Sequence, residues 1–172
     1  MKHLVLVGLP GSGKTTLGRA VAAQLSLPFL DFDEEIERRT GLSPAPFFRE
    51  HGEAAFRAQE LALSRELGAR HTIVVAPGGG WITQEAAREA LRPYAVLVYL
   101  KVSPAVAAVR LGPDAHKRPL LAAGDPVTVL GRLLAEREPL YATADHVVNT
   151  EIVDIKGLTK QIASLTRQDP GG

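Results

Sequence analysis

The chain has 172 residues, of which 45% are hydrophobic and 23% charged, which excludes a disordered or fibrous protein and allows one domain with a substantial core. Twenty basic and nineteen acidic residues leave a net charge of +1, too small to hold the protein by bulk charge on nucleic acid or an anionic membrane. The absence of cysteine excludes disulfides, thiolate metal sites and cysteine nucleophiles. Because no apolar run near the start is long enough for a signal peptide or a membrane span, we expect a cytoplasmic protein.

Short aliphatic runs alternate along the chain with longer helical stretches. The runs predicted as strands are 3–7, 28–31, 72–76, 95–100 and 146–148. The stretches predicted as helices are 14–25, 33–40, 53–67, 83–91, 104–110, 126–141 and 154–165. This alternation predicts an α/β fold in which helices cover both faces of a parallel sheet. Ligands of such a sheet bind at the carboxyl ends of its strands.

Two stretches rich in proline and glycine, 42–47 and 111–126, interrupt this pattern. We expect both to be irregular and able to move against the sheet. No repeat or flexible linker divides the chain, so we predict a single domain over 1–167 and a flexible tail over 168–172.

The first predicted strand is followed by Gly8-Leu9-Pro10-Gly11-Ser12-Gly13-Lys14-Thr15, a complete match to the P-loop pattern G-x-x-x-x-G-K-[ST]. Such a loop wraps a phosphate with backbone N–H groups at the start of a helix. Lys14 would neutralise the β and γ oxygens, and the Thr15 hydroxyl would bind Mg²⁺. A glycine-rich turn without a ligand is the alternative, which the strand before and the helix after disfavour. The motif predicts a nucleoside triphosphate but leaves switch, motor and kinase open.

Two carboxylates, Asp31 and Asp33, end the second predicted strand. Period-2 alternation would place both on the same side of the intervening Phe32. One could face the metal while the other orients an acceptor hydroxyl and takes its proton. The alternative makes Asp31 a turn residue and Asp33 the N-cap of the following helix.

Three consecutive glycines, Gly78, Gly79 and Gly80, follow the third predicted strand. Glycine there would let the backbone approach a substrate closely at the edge of the sheet where ligands bind. A flexible turn without a ligand is the alternative.

Cations outside the P-loop have two interpretations each. Arg57 has Glu60 three positions later to hold its guanidinium, which would then suit a carboxylate ligand, but a surface ion pair is the simpler reading. Arg137 is equally ambiguous. Lys117 and Arg118 lie in the second irregular stretch and would belong either to a loop that closes over ATP or to a solvated linker.

Together these residues resemble the shikimate kinase family over residues 3–150. The resemblance rests on motifs in family order: the P-loop at 8–15, Asp31 and Asp33, Gly52-Glu53 with Phe56-Arg57 and Glu60, the glycines 78–80, Arg118-Pro119-Leu120-Leu121, and Arg137 before Leu140-Tyr141. It implies a three-layer α/β/α P-loop fold with a five-stranded parallel sheet, a substrate-binding helical segment at 33–61 and a mobile lid at 111–126. It also implies transfer of the γ-phosphoryl of ATP to the 3-hydroxyl of shikimate.

The resemblance further implies a role for each matching residue. Asp33, Lys14 and Arg118 would be catalytic, and Thr15 and Asp31 would serve the Mg²⁺ site. ATP would be bound by the set Gly11, Ser12, Gly13, Lys14, Thr15, Thr16, Arg110 and Arg118, with Arg110 against the adenine. Shikimate would be bound by the set Asp33, Arg57, Gly78, Gly79, Gly80 and Arg137, with Phe48 and Phe56 as walls.

Three positions depart from the family pattern: Phe32 between the aspartates, Pro44 in the acceptor segment, and Glu151, which offers no stacking guanidinium. A kinase for gluconate or for a nucleoside monophosphate is the nearest alternative. A P-loop switch module without a small acceptor is an alternative of another class. We expect a monomer whose partners are ATP and shikimate, without nucleic-acid or membrane partners.

Overall fold

The computed structural model describes residues 1–68, 70–118, 121–122 and 124–166. Five strands form one parallel sheet: β1 (His3–Val7), β2 (Phe29–Asp31), β3 (Val74–Ala76), β4 (Ala95–Lys101) and β5 (His146–Asn149). Their order across the sheet is β2-β3-β1-β4-β5. The predicted parallel sheet is thereby confirmed, with strand boundaries that differ by no more than two residues from those expected.

In the described residues, seven α-helices surround the sheet. They are α1 (Lys14–Leu25), α2 (Phe32–Thr40), α3 (Pro44–Leu67), α4 (Glu85–Leu91), α5 (Pro104–Leu111), α6 (Pro126–Tyr141) and α7 (Ile155–Leu165). Helices α1 and α7 cover one face of the sheet, and α2 to α6 pack on the other. None of the helices in the described residues is both long and apolar enough to cross a lipid bilayer.

The strands supply two separate cores because neighbouring side chains point to opposite faces. In β1, Leu4 and Leu6 pack towards α1 and α7, whereas Val5 and Val7 pack on the other side. All four are at most 2% exposed. Because both faces of the sheet are buried, ligands can reach it only where the strands end. In sheets of this type they bind at the carboxyl ends of the strands.

The chain leaves three strands at that edge with loops that carry polar residues. Val5 pairs with Val75, and Asp31 pairs with Ala76, so β1, β2 and β3 end close together. The P-loop follows β1, α2 follows β2 directly, and the three glycines follow β3. Sheet register therefore brings sequence segments some 70 residues apart to one place.

The first stretch expected to be irregular is helical. The expectation of a loop over 42–47 was wrong, because α3 begins at Pro44, where a proline is tolerated in the first helical turn. Helix α3 changes direction at Gly52, whose φ of 82° and ψ of 169° are not helical. Its second part begins at Glu53, where the sequence predicted a helix to start.

The second stretch is partly ordered by a 3₁₀-helix over Gly112–Lys117. Ala115 and Leu121 are 2% and 1% exposed and belong to the core. Residues 119, 120 and 123 of the predicted lid, and the whole predicted tail at 168–172, lie outside the described residues. The helix predicted over 83–91 is also divided: a 3₁₀-helix covers Trp81–Thr83, and α4 starts at Glu85.

The kink in α3 generates a stability prediction. Replacement of Gly52 by alanine should lower the free energy of unfolding by about 1–3 kcal/mol, because its backbone angles belong to a region that only glycine occupies without strain. The added Cβ would meet nothing within 4 Å, so the cost is conformational. Urea unfolding measures it.

Gly131→Ala is the matched control. Gly131 lies inside α6, and a Cβ there also meets nothing within 4 Å. This variant should gain up to about 1 kcal/mol from helix propensity. A Gly52→Ala protein as stable as the Gly131→Ala protein would contradict the assignment of strain to Gly52.

Candidate active site

Two cavities meet at the carboxyl edge of the sheet. The P-loop cavity, of about 500 Å³, is lined by the loop after β1, by Asp31 and by Arg110. The arginine cavity, of about 450 Å³, is lined by Arg57, Arg137 and residues of α3. Both cavities are lined by Pro10, Asp33, Gly78, Gly79 and Arg118. Every residue predicted for the site from the sequence lines one cavity or both.

The P-loop has the backbone of a phosphate cradle. Gly11 and Gly13 adopt φ values of 81° and 94°, which favour glycine. A Cβ on Gly11 would lie 2.5 Å from the carbonyl oxygen of Ala107 in α5, so glycine is also required by space. Gly13 directly precedes α1, and the successive backbone N–H groups of the loop and the helix start suit an anion.

Lys14 is held by its own loop. Its Nζ donates to the carbonyl oxygens of Gly8 and Leu9 at 2.8 and 2.9 Å. Burial and the positive charge of Arg118 together lower the pKa of Lys14 to about 7, against the opposing effect of the Asp33 and Asp31 carboxylates. A bound anion would favour the charged amine and reverse that shift.

Asp31 uses both carboxylate oxygens. Oδ1 accepts from the backbone N–H of Glu34 at 3.2 Å and so caps α2, and Oδ2 accepts from the Thr15 hydroxyl at 2.7 Å. The alternative in which Asp33 caps this helix was therefore wrong. Strand-like alternation between the two aspartates was wrong as well, because α2 already begins at Phe32. Phe32 itself is fully buried in the core.

Asp33 lies where the two cavities join. Burial raises the pKa of its carboxyl group, and the neighbouring Asp31 raises it further, whereas Arg118, Lys14 and Arg57 act in the opposite direction. A carboxylate with a raised pKa is a better proton acceptor than one in water. Its position and its pKa both fit a group that acts between a phosphate donor and a hydroxyl acceptor.

Arg57 and Glu60 form an ion pair that is largely buried, so the surface interpretation was wrong. Arg57 Nη1 lies 2.7 Å from Glu60 Oε2, and the two side chains are 18% and 0% exposed. Gln84 Nε2 donates to the same oxygen at 2.5 Å. Burial raises the pKa of Glu60 to about 7 against the effect of Arg57. The outer face of Arg57 contacts the exposed Glu53 at 3.4 Å.

The three glycines lie against the charged groups. A Cβ on Gly78 would lie 2.5 Å from Glu60 Oε1 and 3.1 Å from Asp33 Oδ1, and one on Gly80 would overlap the Arg57 guanidinium. One on Gly79 would meet only ordinary contacts. Glycine at 78 and 80 therefore leaves room for the charged side chains of the cavity.

Arg137 reaches the same cavity from α6. It is 5% exposed, and its Nη1 donates to the carbonyl oxygen of Gly79 at 2.7 Å. Phe48 and Phe56 form an apolar wall with ring centroids 4.9 Å apart, next to Pro44 at the start of α3. The lining of the arginine cavity thus includes three guanidinium groups, three carboxyl groups and an aromatic wall; the charged residues are Arg57, Arg118, Arg137, Asp33, Glu60 and Asp114, together with Lys117. It suits a small anionic acceptor with an apolar ring face and a hydroxyl.

The far end of the P-loop cavity is less polar. Arg110 donates to Thr150 at its hydroxyl and carbonyl oxygens, at 2.9 and 2.7 Å. Val153, Ile155 and Leu158 line the cavity there. This apolar wall was not recognised in the sequence. Glu151 turns away and accepts from the backbone N–H of Ser103 at 2.5 Å.

Sequence reasoning also missed Gln84 and Pro10. Gln84 was placed inside a predicted helix, where nothing marks one glutamine as a partner of a buried carboxylate. Pro10 occupies a variable position of the P-loop pattern, yet it lines both cavities. The only signal for Gln84 is its place four residues after the last of the three glycines.

The chain is similar in sequence and in fold to known shikimate kinases. The family model for shikimate kinase matches residues 10–166. The shikimate kinase of Chromohalobacter salexigens is 43% identical over 166 residues, which cover 96% of this chain and 92% of that protein. The structure of shikimate kinase from Acinetobacter baumannii in complex with shikimate is 37% identical, with a TM-score of 0.92 over 100% of this chain and 96% of that one. A gluconokinase from Sinorhizobium meliloti is 22% identical, with a TM-score of 0.61 over 96% of this chain and 92% of that one, and shares the fold.

The glycine contacts generate a paired prediction. Gly80→Ala should weaken binding of an anionic acceptor by about tenfold or more, because the methyl group displaces a guanidinium that contributes a charge-assisted hydrogen bond. Gly79→Ala should have a much smaller effect, since its Cβ would lie 3.4 Å from Pro10 and 3.6 Å from Arg137. Acceptor titration measures both, with thermal unfolding as a check on folding. Equal losses in the two variants would disprove the steric argument.

Proposed function

The chain belongs to the shikimate kinase family, and we propose that it transfers the γ-phosphoryl of ATP to the 3-hydroxyl of shikimate, giving shikimate 3-phosphate and ADP. The observation that carries the proposal is the junction of the two cavities at Asp33, with a P-loop on one side and two arginines on the other. A triphosphate and an anionic alcohol held there would meet end to end.

The nucleotide would occupy the P-loop cavity. The backbone N–H groups of Gly11, Ser12 and Gly13 would hold the phosphates, and Lys14 would leave the loop carbonyls for the β and γ oxygens. Thr16, which also lines the cavity, would add a hydroxyl. The adenine would lie between Arg110 and the apolar wall formed by Val153, Ile155 and Leu158.

Mg²⁺ would be held at Thr15 and Asp31. Their side-chain oxygens lie 2.7 Å apart at the edge of the P-loop cavity, and hard oxygen donors suit this ion. Among the described residues, no group of three acidic or histidine side chains forms a complete cation site. This agrees with an ion that also needs phosphate oxygens and water. When bound, the ion neutralises charge on the phosphates.

Shikimate would occupy the arginine cavity. Arg57 and Arg137 would bind its carboxylate, and the backbone at Gly78, Gly79 and Gly80 would contact it closely. The apolar face of its ring would lie against Phe48 and Phe56. The carboxylate is then remote from the reacting hydroxyl, so these contacts mainly set affinity and orientation.

Asp33 would position the 3-hydroxyl and accept its proton. As the hydroxyl oxygen forms its bond to the γ-phosphorus, the bond from that phosphorus to the β,γ-bridging oxygen breaks, and ADP leaves with the electron pair. Lys14 and Arg118 would neutralise the negative charge on the transferring group. Burial raises the pKa of Asp33, which makes its carboxylate a stronger base for the proton that the hydroxyl releases.

We assign residues 33–61 to acceptor binding and 111–126 to a lid that brings Arg118 over the phosphates, within a single domain at 1–167. Arg118 lines both cavities, and Ala115 and Leu121 anchor the segment in the core. We further assign the enzyme to the cytoplasm, as a monomer without nucleic-acid or membrane partners. Its net charge of +1 is too small for bulk binding to nucleic acid or an anionic membrane, and its lack of cysteine is compatible with a reducing compartment.

The alternatives have less support. A gluconate kinase shares the fold and an acidic acceptor, but the likeness to the gluconokinase of Sinorhizobium meliloti extends only to the fold. The aromatic wall of the arginine cavity also fits a cyclic acceptor better than an open chain. A switch module would make no use of two arginines, Arg57 and Arg137, that converge on a second cavity.

An acceptor panel tests the reaction. ADP release with Mg²⁺ and ATP is measured with shikimate, quinate, gluconate and nucleoside monophosphates. We expect strong stimulation by shikimate alone. Stimulation by gluconate or by a nucleotide, but not by shikimate, would assign a different acceptor. Slow hydrolysis that no acceptor changes would favour the switch module.

Asp33→Asn tests the catalytic assignment. Turnover should fall by about 10²–10⁴-fold, because the amide cannot take the proton, while ATP binding stays largely intact. Glu37→Gln is the control, since Glu37 is an exposed carboxylate on the same helix. Normal turnover in the Asp33→Asn protein would remove Asp33 from this role.

A further inference from the structure

We propose that Gln84 is a positioning residue for the acceptor carboxylate: its amide fixes the Glu60 carboxylate, which in turn fixes Arg57. This inference rests on the proposed function, because it requires Arg57 to bind shikimate. Gln84 would act only through Glu60 and would not itself contact the substrate.

The hydrogen bonds of Glu60 are unequal. Its Oε2 accepts from both Gln84 Nε2 at 2.5 Å and Arg57 Nη1 at 2.7 Å. Its Oε1 is buried without a hydrogen-bond partner and faces Gly78 and Asp33. Two donors from different directions on one oxygen fix the rotation of the carboxylate. Without Gln84, Arg57 alone would have to hold it.

The backbone of Gln84 is held in place by hydrogen bonds, so its side chain reaches Glu60 from a fixed position. Its backbone N–H donates to the carbonyl oxygen of Trp81 at 3.0 Å, and its own carbonyl accepts from the N–H of Arg88 at 3.0 Å. The indole N–H of the fully buried Trp81 donates to the Ser64 hydroxyl in α3 at 2.9 Å. The residue is thus anchored between the three glycines and α4, and its amide reaches a neighbour on a different helix.

Arg57 has a competing partner that makes this anchoring matter. Its Nη2 lies 3.4 Å from Glu53, whose side chain is 62% exposed and one turn earlier on α3. The charge of Asp33 repels Glu60 from the other side. If the Glu60 carboxylate rotated, Arg57 could turn towards Glu53 and out of the cavity. The Gln84 hydrogen bond opposes that change.

The test uses Gln84→Met, which keeps the length of the side chain and removes the donor. We expect KM for shikimate to rise about tenfold, as for one lost hydrogen bond to a charged group, while kcat and KM for ATP change less than about twofold. Arg57→Ala sets the upper limit of the effect. Gln161→Met, at an exposed glutamine of α7, is the control and should match the wild type.

A double-mutant cycle separates positioning from general structural damage. If Gln84 acts through Glu60, Gln84→Met should add little to KM in a Glu60→Gln background. Full additivity would overturn the proposal, as would an unchanged KM in Gln84→Met. Gln84→Asn, whose side chain is one methylene shorter, is the second variant in case Gln84→Met folds poorly. It should also raise KM for shikimate while kcat and KM for ATP stay nearly unchanged.

A pH profile gives a readout that a loss of packing would not produce. Burial and the charge of Asp33 raise the pKa of Glu60, whereas Arg57 and the Gln84 amide lower it, and the result is a pKa of about 7. Removal of the amide donor should therefore move the corresponding inflection of kcat/KM for shikimate, measured at saturating ATP, to higher pH. An unmoved inflection contradicts the proposal. A wild type that does not use shikimate contradicts the proposed function as well, whereas an active wild type with an unaffected variant contradicts only the role of Gln84.

Discussion

The arginine cavity depends on a carboxylate that has no contact with solvent. Glu60 is fully buried, and removing a carboxylate from water costs several kcal/mol unless charge and hydrogen bonds compensate. Arg57 and Gln84 supply that compensation on one oxygen. The consequence is mutual: Glu60 is tolerated because Arg57 is there, and Arg57 is fixed at the cavity wall because Glu60 cannot leave.

The same charges explain the backbone after β3. Side chains at 78 and 80 would lie on Glu60 and on the Arg57 guanidinium, so the glycines leave space for an ion pair that the helix α3 brings against the strand end. Glycine in this segment is usually read as freedom of the backbone. Here its more important property is the missing Cβ, since none of the three has a positive φ.

Much of this could be read from the sequence, and the failures have identifiable causes. Aliphatic runs and the P-loop pattern predicted the sheet and the nucleotide side, because both depend on local order in the chain. The start of α3 at Pro44 was missed, since proline and glycine there suggested a loop, whereas Pro44 lies in the first turn and Gly52 at a kink. The partnership between Gln84 and Glu60 depends on packing between α3 and the segment after β3, and no local pattern encodes it.

Burial acts against the charges of both Lys14 and Asp33 near the junction of the cavities. Lys14 donates to the carbonyl oxygens of its own loop, and burial together with Arg118 lowers its pKa to about 7. Asp33 is in the opposite situation, because burial and Asp31 raise its pKa. A triphosphate would favour the charged form of Lys14. A hydroxyl beside Asp33 would donate its hydrogen bond to a carboxylate whose pKa is already raised. Burial thus disfavours the charged forms of both Lys14 and Asp33, and an anion beside Lys14 or a hydrogen-bond donor beside Asp33 would oppose that effect.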